Sequence, residues 1–592
     1  MVARSRSVAA SLLLALGVGL VLADSSVVTL ALPAILRDFD STVNAVAWVL
    51  IAFNLALALL ALAGARVARG RAHTTFIVSV LLFALASAAC ALAPSLGVLI
   101  AARTAQGVFG AAVVAAALDL LVRLNGRSRA ILLWAAAGVL GAAVGPALGG
   151  FLTEAFSWQT MFALQAPVAL ATLIGVRGAP RDHADVPAAA EPPVGGDRPA
   201  LAPLVALALA SAALSAALFL LVIMLIEGWR HSPGEAALTV TVMPIAALVA
   251  GRWARAHEGV TPALAGSVLV AGGLAALGLL PSAHAAWTLA PQVAIGLGLG
   301  LALATLIGAT VGEHGPEEGA AAAAAVARPA AWTIGARHMG IVVGLLVLTP
   351  IFTADLNGIR APGERAGLAR VLDAPLPLAP KVGLARALSR QIQSAGTQEL
   401  PDLDRAFAQF NVPAADRPAV VRLRDGLDEE LNRAATKAFS RSFLAAALIA
   451  LLAAAAVAWA ARGDPRRPRG EPETNGSPLL RRGGPLAVAL PAAATAAALL
   501  VAVYVLLGGG SYGPTPVADP CAARARPAVD RTQRIALAAL DGTACRLHTS
   551  REELVRSLLA GRIPPHVSDD EFTAALGDGI SRAQREGALS PL

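Results

Sequence analysis

An all-α integral membrane fold, with six helices plus six and one further span towards the C-terminus, is predicted by three features of the sequence. The first is composition: 56% of the 592 residues are hydrophobic, 15% are charged, and mean hydropathy is +0.67. No soluble core hides that much apolar surface. The second is that apolar windows long enough to cross a hydrocarbon layer of roughly 30 Å recur about thirteen times. The third is that arginines collect in alternate connections between those windows, as insertion with basic loops retained inside requires.

Taken in order, the windows lie near 8–33, 44–66, 74–94, 98–122, 129–152, 159–176, 201–226, 236–251, 263–281, 286–311, 320–352, 441–461 and 485–508. The first has a basic start, Met1 to Arg6, and a small-residue stretch, Val21-Leu22-Ala23, that mimic a cleavable signal peptide. A signal peptide leads into a soluble domain, whereas here the chain continues apolar to Pro33 and repeats such spans, so the segment is read as helix 1. The exits after even-numbered windows carry Arg66, Arg69 and Arg71; Arg123, Arg127 and Arg129; Arg177, Arg181 and Arg198; and Arg252 and Arg255. The opposite loops hold few basic residues, Arg37 and Arg230 being the exceptions. The expected topology is a multi-pass protein of the cell membrane with a cytoplasmic N-terminus and an extracytoplasmic C-terminus.

The same parity divides the chain into an N-terminal six-helix bundle, 1–176, a cytoplasmic linker, 177–200, and a C-terminal six-helix bundle, 201–461, that includes an exported polar insertion, 353–440. A basic cytoplasmic loop, 462–484, precedes the extra span, 485–508, and 509–592 forms an exported helical domain. Ser550 to Glu553 and Ser568 to Glu571 read as capping boxes, so two short helices are expected there. Cys521 and Cys545 fall in the oxidising compartment, where a disulfide between them persists; Cys90 sits in a span and reads as packing. The formal charge of +8 arises from loop arginines rather than one polar domain, so no nucleic-acid partner is inferred.

Three stretches then carry a resemblance. Asp24, Ala31-Leu32-Pro33 and Trp48-Val49 follow one another through the first two windows. Arg103, Gln106 and Gly107 lie in the fourth, and Gly141, Gly145-Pro146 and Gly149-Gly150 lie in the fifth. In this order they resemble the signatures of the major facilitator superfamily, in particular its fourteen-helix drug:proton antiporter branch, over most of residues 15–350. Gly296, Gly298 and Gly300, and Arg337 with Gly340 and Gly344, are similar to glycine-rich stretches of the family's second half. The exits Gly64 to Arg69 and Gly251 to Arg255 echo one another, as duplicated halves do. Three departures stand out. Arg69 occupies the place of an acidic loop residue, Gln165 the place of an Asn, and one central helix replaces two.

The resemblance implies a secondary transporter, a proton-coupled exporter of a small amphipathic or hydrophobic compound working by alternating access, with the bilayer, that compound and protons as its partners. Asp24 and Arg103 are the candidates for proton coupling. Asp24 can change charge inside the membrane, or it satisfies helix ends with Ser25 and Ser26; Arg103 holds a carboxylate, or pins its helix together with Gln106. Gln106, Gly141, Gly145, Pro146, Gly149, Gly150, Arg337 and His338 are candidates for cavity lining or a conformational switch, with static packing as the alternative for each. Asp119 is placed to meet Arg123 at i,i+4. No phosphate loop, zinc-ligand spacing, nucleophile elbow or catalytic carboxylate pair is present, so no enzymatic activity, cofactor or metal is expected. The rival reading is a diverged, non-transporting member that acts as a scaffold or receptor by binding a protein through 353–440 and 509–592.

Overall fold

A computed structural model describes residues 2–179, 181, 201–254, 259–311, 319–394, 403, 407, 416–462, 485–522, 530–564 and 567–585. Residues 182–200, Arg255 and the basic loop 463–484 lie outside the described residues. Among those described there is helix and turn and no strand. Among the described residues, thirteen helical stretches are long and apolar enough to cross a membrane, one of them, Pro233–Ala254, being two helices in succession. The chain divides into two compact units, Met1–Thr353 with Phe439–Gly509, and Ala354–Ala438 with Gly510–Leu592.

The first bundle of the first unit comprises α1 (Val2–Thr29), the short α2 (Leu32–Asp38), α3 (Val43–Ala68), α4 (Ala72–Ala91), α5 (Leu96–Asn125), α6 (Arg127–Ala155) and α7 (Trp158–Val176). Local chemistry sets the boundaries. Pro33 stands at the start of α2, where its missing N–H costs nothing. Thr42 and Ser95 cap α3 and α5 by accepting from the N–H groups of Ala45 and Val98. Gly126 ends α5 at φ 75°, a conformation that side chains with a Cβ rarely take.

The second bundle holds α8 (Leu201–Ile223), α9 (Pro233–Val240), α10 (Val242–Ala254), α11 (Thr261–Gly278), α12 (Ala286–Val311), α13 (Gly319–Asp373) and α15 (Arg417–Arg462), the last two extending beyond the bundle. A π-turn, Met224–Gly228, closes α8. The window near 236–251 is two helices, broken at Thr241 just ahead of Pro244, whose ring cannot continue the hydrogen-bond ladder. The extra span is α16 (Pro485–Leu506). It packs on α11, where a side-chain carbon added to Gly272 would meet the Ala497 Cβ at 2.5 Å.

Two apolar windows prove to be parts of longer helices. The windows 320–352 and 441–461 report only the apolar portions of α13 and α15, because hydropathy does not register the Ala-, Leu- and Arg-containing turns that continue each helix through polar sequence.

The second unit joins the two segments that read separately in the sequence. The segment before the extra span contributes the ends of α13 and α15 and α14 (Leu378–Ser394); the segment after it contributes α17 (Arg531–Arg546), α18 (Arg551–Leu559) and α19 (Asp569–Arg585). Ser568 and Glu571 form a reciprocal capping box. Ser550 caps α18, while Glu553 turns instead to Arg556. The third helix, α17, is capped by Asp530 accepting from Gln533. Cys521 and Cys545 are joined in a disulfide.

Polar contacts interlock the segments. Gln533 donates to the Leu376 carbonyl at 3.0 Å, the Thr515 N–H to Glu430 at 2.9 Å, and Arg551, 0% exposed, pairs with Asp373 at 2.9 Å and Glu552 at 2.8 Å. Segments so joined share one side of a bilayer, which requires an even number of crossings between them. The two spans of α15 and α16 meet that requirement.

Lys381 is buried in the same unit and donates to the Leu372 carbonyl at 2.5 Å. Burial, offset only in part by Asp373, pushes its ammonium down from 10.5 to about 8. Between about pH 8 and 10.5 the folded unit therefore binds fewer protons than its unfolded form and gains stability as pH rises. Replacing Arg551 by Gln removes the partner of two carboxylates at 1% exposure or less, Asp541 and Glu552, and of the half-exposed Asp373. The unit is expected to lose about 3 kcal/mol, measured as faster proteolysis within 510–592 of the full chain.

Candidate functional site

Charged groups within apolar spans must find partners inside the protein. Asp24 on α1 and Arg103 on α5 do so with each other: Nη2 lies 2.6 Å from Oδ2, and both side chains are 0% exposed. The remaining valences close through neutral groups. Gln165 on α7 donates to Asp24 Oδ1 at 2.8 Å, and Gln106 donates to Gln165 at 2.8 Å and to Ser87 on α4 at 2.8 Å. Arg103 Nη1 donates back to Gln106 Oε1 at 2.7 Å, and its Nε to the Val49 carbonyl on α3 at 3.1 Å. The guanidinium carbon also stands 4.4 Å from the Phe53 ring centroid and 5.5 Å from that of Phe162. One polar network thus ties five of the first six spans.

Gln165, a departure from the family pattern, is an integral member of this network rather than a loss. Cys90 donates its thiol to Gln106 Oε1 at 3.4 Å, within the same cluster. Asp119 pairs with Arg123 at 2.5 Å across one helical turn.

The α6 glycines divide between two neighbours. Side-chain carbons added to Gly141 and Gly149 would strike the Gly19 and Val27 carbonyls, and one added to Gly145 would strike the Ser26 hydroxyl, so α1 and α6 touch backbone to backbone. Gly150 instead meets α9, with the Pro233 carbonyl 2.6 Å from an added Cβ. Pro146 is accommodated within a continuous α6.

The second half meets the first differently at its two ends. At the end carrying α2, the Glu154 carboxylate accepts from the Ser232 hydroxyl at 2.9 Å and from the Gly234 N–H, capping α9 from the opposite half. Arg37 pairs with Glu227 at 3.5 Å near the same end. Midway, His338 Nδ1 donates to Asn54 Oδ1 at 2.7 Å, and Asn54 Oδ1 also receives the Ser25 hydroxyl at 3.1 Å. Towards the end carrying the α3–α4 turn, a cavity lies between α3, α5 and α6 of one half and α13 of the other. Arg69, Leu118, Trp134, Ala327 and Ile334 are among its lining residues. Arg337 extends from α13 towards α6, its Nη1 3.9 Å from a carbon added to Gly138.

The structure therefore brings Asp24, Arg103 and Gln106 into one site and sets Arg337 and His338 where the halves meet. It adds Gln165, Ser87, Asn54 and Glu154, which the sequence reading did not select. Asn54 and Gln165 carried a usable signal, since an amide inside an apolar span is costly unless hydrogen-bonded. Replacing Asp24 by Asn leaves Arg103 buried without its counter-charge, and the first unit is expected to lose about 3–5 kcal/mol. Combining Asp24→Asn with Arg103→Met removes the orphaned charge, so the double variant should recover most of the melting temperature, read by scanning fluorimetry in detergent.

Comparison with known proteins accords with this architecture. The puromycin resistance protein pur8 of Streptomyces alboniger is 42% identical over 170 residues, 28% of this chain and 34% of that protein. The multidrug efflux pump LfrA of Mycolicibacterium smegmatis is 35% identical over 178 residues, 29% and 35% of the two chains. The methylenomycin A resistance protein of Streptomyces coelicolor is 37% identical over 161 residues, 26% and 34%. The aligned part spans about a third of each of these relatives. Among solved structures, an inward-facing, unoccupied bacterial homologue of the human lysosomal transporter Spinster superposes with a TM-score of 0.53 at 18% identity, over 77% of this chain and 97% of that one. That likeness is one of fold. The family model of the Major Facilitator Superfamily matches residues 14–336, the stretch that contains the buried Asp24–Arg103 network and most of both bundles, and the chain belongs to that superfamily.

Proposed function

We propose that the chain is a proton-coupled exporter of small amphipathic compounds that works by alternating access. The observation that carries this reading is the buried Asp24–Arg103 pair with its closed ring of amide and hydroxyl partners. When Asp24 takes up a proton the pair loses its Coulombic attraction. Arg103 keeps other acceptors in Val49 and Gln106 and two aromatic faces. The network thus has two states of different charge, the requirement for linking protonation to a change of conformation.

The geometry of the halves supports the same reading. Contacts close the end carrying α2 while a cavity opens towards the other. The export direction rests on the names of the relatives, resistance proteins and efflux pumps. On the arginine pattern, which keeps basic loops inside, the N-terminus and the end of the first unit with the cavity face the cytoplasm, and residues 353–440 and 509–592 are exported. The scaffold reading keeps one supporting observation, the compact second unit.

Two experiments test these assignments. In proteoliposomes loaded with a panel that includes puromycin and methylenomycin A, wild type is expected to show export driven by a proton gradient. Asp24→Asn, assayed on its monodisperse fraction, is expected to lose the gradient-driven component by at least tenfold while retaining exchange of labelled for unlabelled compound. Undiminished proton-driven flux in Asp24→Asn sinks the coupling role, and no flux from wild type with any compound favours the scaffold. For topology, intact cells are treated with a membrane-impermeant thiol reagent. Cys521 and Cys545 should label only after reduction; labelling that needs permeabilised cells overturns the outward placement.

A further inference from the structure

Charges around the cavity do not balance. Asp24 is neutralised by Arg103 and Asp119 by Arg123, so neither carboxylate is available to a ligand. Two cations are left. Arg69, exposed on the cavity wall, occupies the place of an acidic loop residue in the family pattern. Arg337 lies deeper, and its Nε is buried with no hydrogen-bond partner. No carboxylate pairs with Arg337 among the described residues. Its place follows from helix geometry: Gly138 is one turn beyond the lining residue Trp134 on α6, and Arg337 is three residues beyond the lining residue Ile334 on α13.

The cavity's other polar feature has the same sense. Trp134 is 3% exposed, lines the cavity, and leaves its indole N–H without a partner. An indole and a guanidinium are donors only. A buried donor without an acceptor is costly, and a guanidinium in an apolar span more so. A ligand that brings acceptor oxygens and a negative charge relieves both, whereas a cationic ligand meets repulsion with no unpaired acid among the described lining residues to offset it. The remaining walls are largely alanine with Val114, Leu118 and Ile334, which suit an apolar body.

We propose that this cavity, extended one turn to Arg337, takes an amphipathic organic anion, with its acidic group on Arg337 and the Trp134 N–H and its apolar body against the alanine walls. The proposal rests on the transport reading for its role, since it names the class of compound exported. Binding alone is enough to judge it.

The test uses three probes of one shape and different charge: 2-naphthoate, 2-naphthamide and 2-naphthylmethylammonium. Binding to the full chain in phosphatidylcholine nanodiscs is followed by tryptophan fluorescence, and movement of the same probes is followed in proteoliposomes. The carboxylate is expected to bind at least tenfold more tightly than the amide, with the cation weakest. Arg337→Gln should abolish that preference, Arg337→Lys should restore part of it, and Trp134→Phe should weaken the carboxylate alone. Equal binding of the three probes, no binding of the carboxylate, or a preference that survives Arg337→Gln overturns the proposal. Displacement of the naphthoate by equimolar phosphatidylglycerol assigns the site to a lipid headgroup and overturns it as well. Charge-selective binding without movement upholds this inference and defeats the transport reading; movement without charge preference does the reverse.

Discussion

A carboxylate and a guanidinium cannot stand separately in the middle of a hydrocarbon layer, and the first bundle is organised around that constraint. Asp24 and Arg103 reach each other only if α1 and α5 approach at one level. Their leftover hydrogen-bonding groups then fix where α7 and α4 place Gln165 and Ser87, and where α3 turns its Val49 carbonyl. Five spans are therefore held in register by one cluster, and apolar packing, which is nearly indifferent to register among lipid-like side chains, fills in around it.

The one remaining span of that bundle, α6, is held otherwise. Near its centre α6 lies on α1 through glycines, and at its end it passes to α9 of the other half through Gly150 and Glu154. Within the first bundle the cohesion is a buried polar network, while Glu154 reaches the other half through hydrogen bonds at exposed groups. The His338–Asn54 hydrogen bond is the deepest polar link between the halves. It is a single hydrogen bond, whereas the Asp24–Arg103 pair is held by charge as well.

Much of this was legible in the sequence where the physics is local. Hydropathy and arginine placement give the thirteen spans because membrane insertion reads those same quantities. Asp24, Arg103 and Gln106 stand out because polar groups in apolar runs need a reason. Partners across helices were not legible: nothing in the string pairs Gln165 with Asp24, 141 residues away, or Glu154 with Gly234. The second unit was the least legible part. Its cohesion comes from contacts such as Arg551–Asp373 and Thr515–Glu430 between segments that two spans separate in the chain.

That interlocking has a consequence for how the molecule is made. The ribosome completes residues 354–438 before α16 and the last helices exist, so Asp373, Glu430 and the Leu376 carbonyl lack the partners they will later have. Those partners arrive only after the final span has been inserted with the correct hand. A chain whose last hairpin fails to insert leaves Asp373 without Arg551 and the Leu376 carbonyl without Gln533, while Glu430 keeps Arg370.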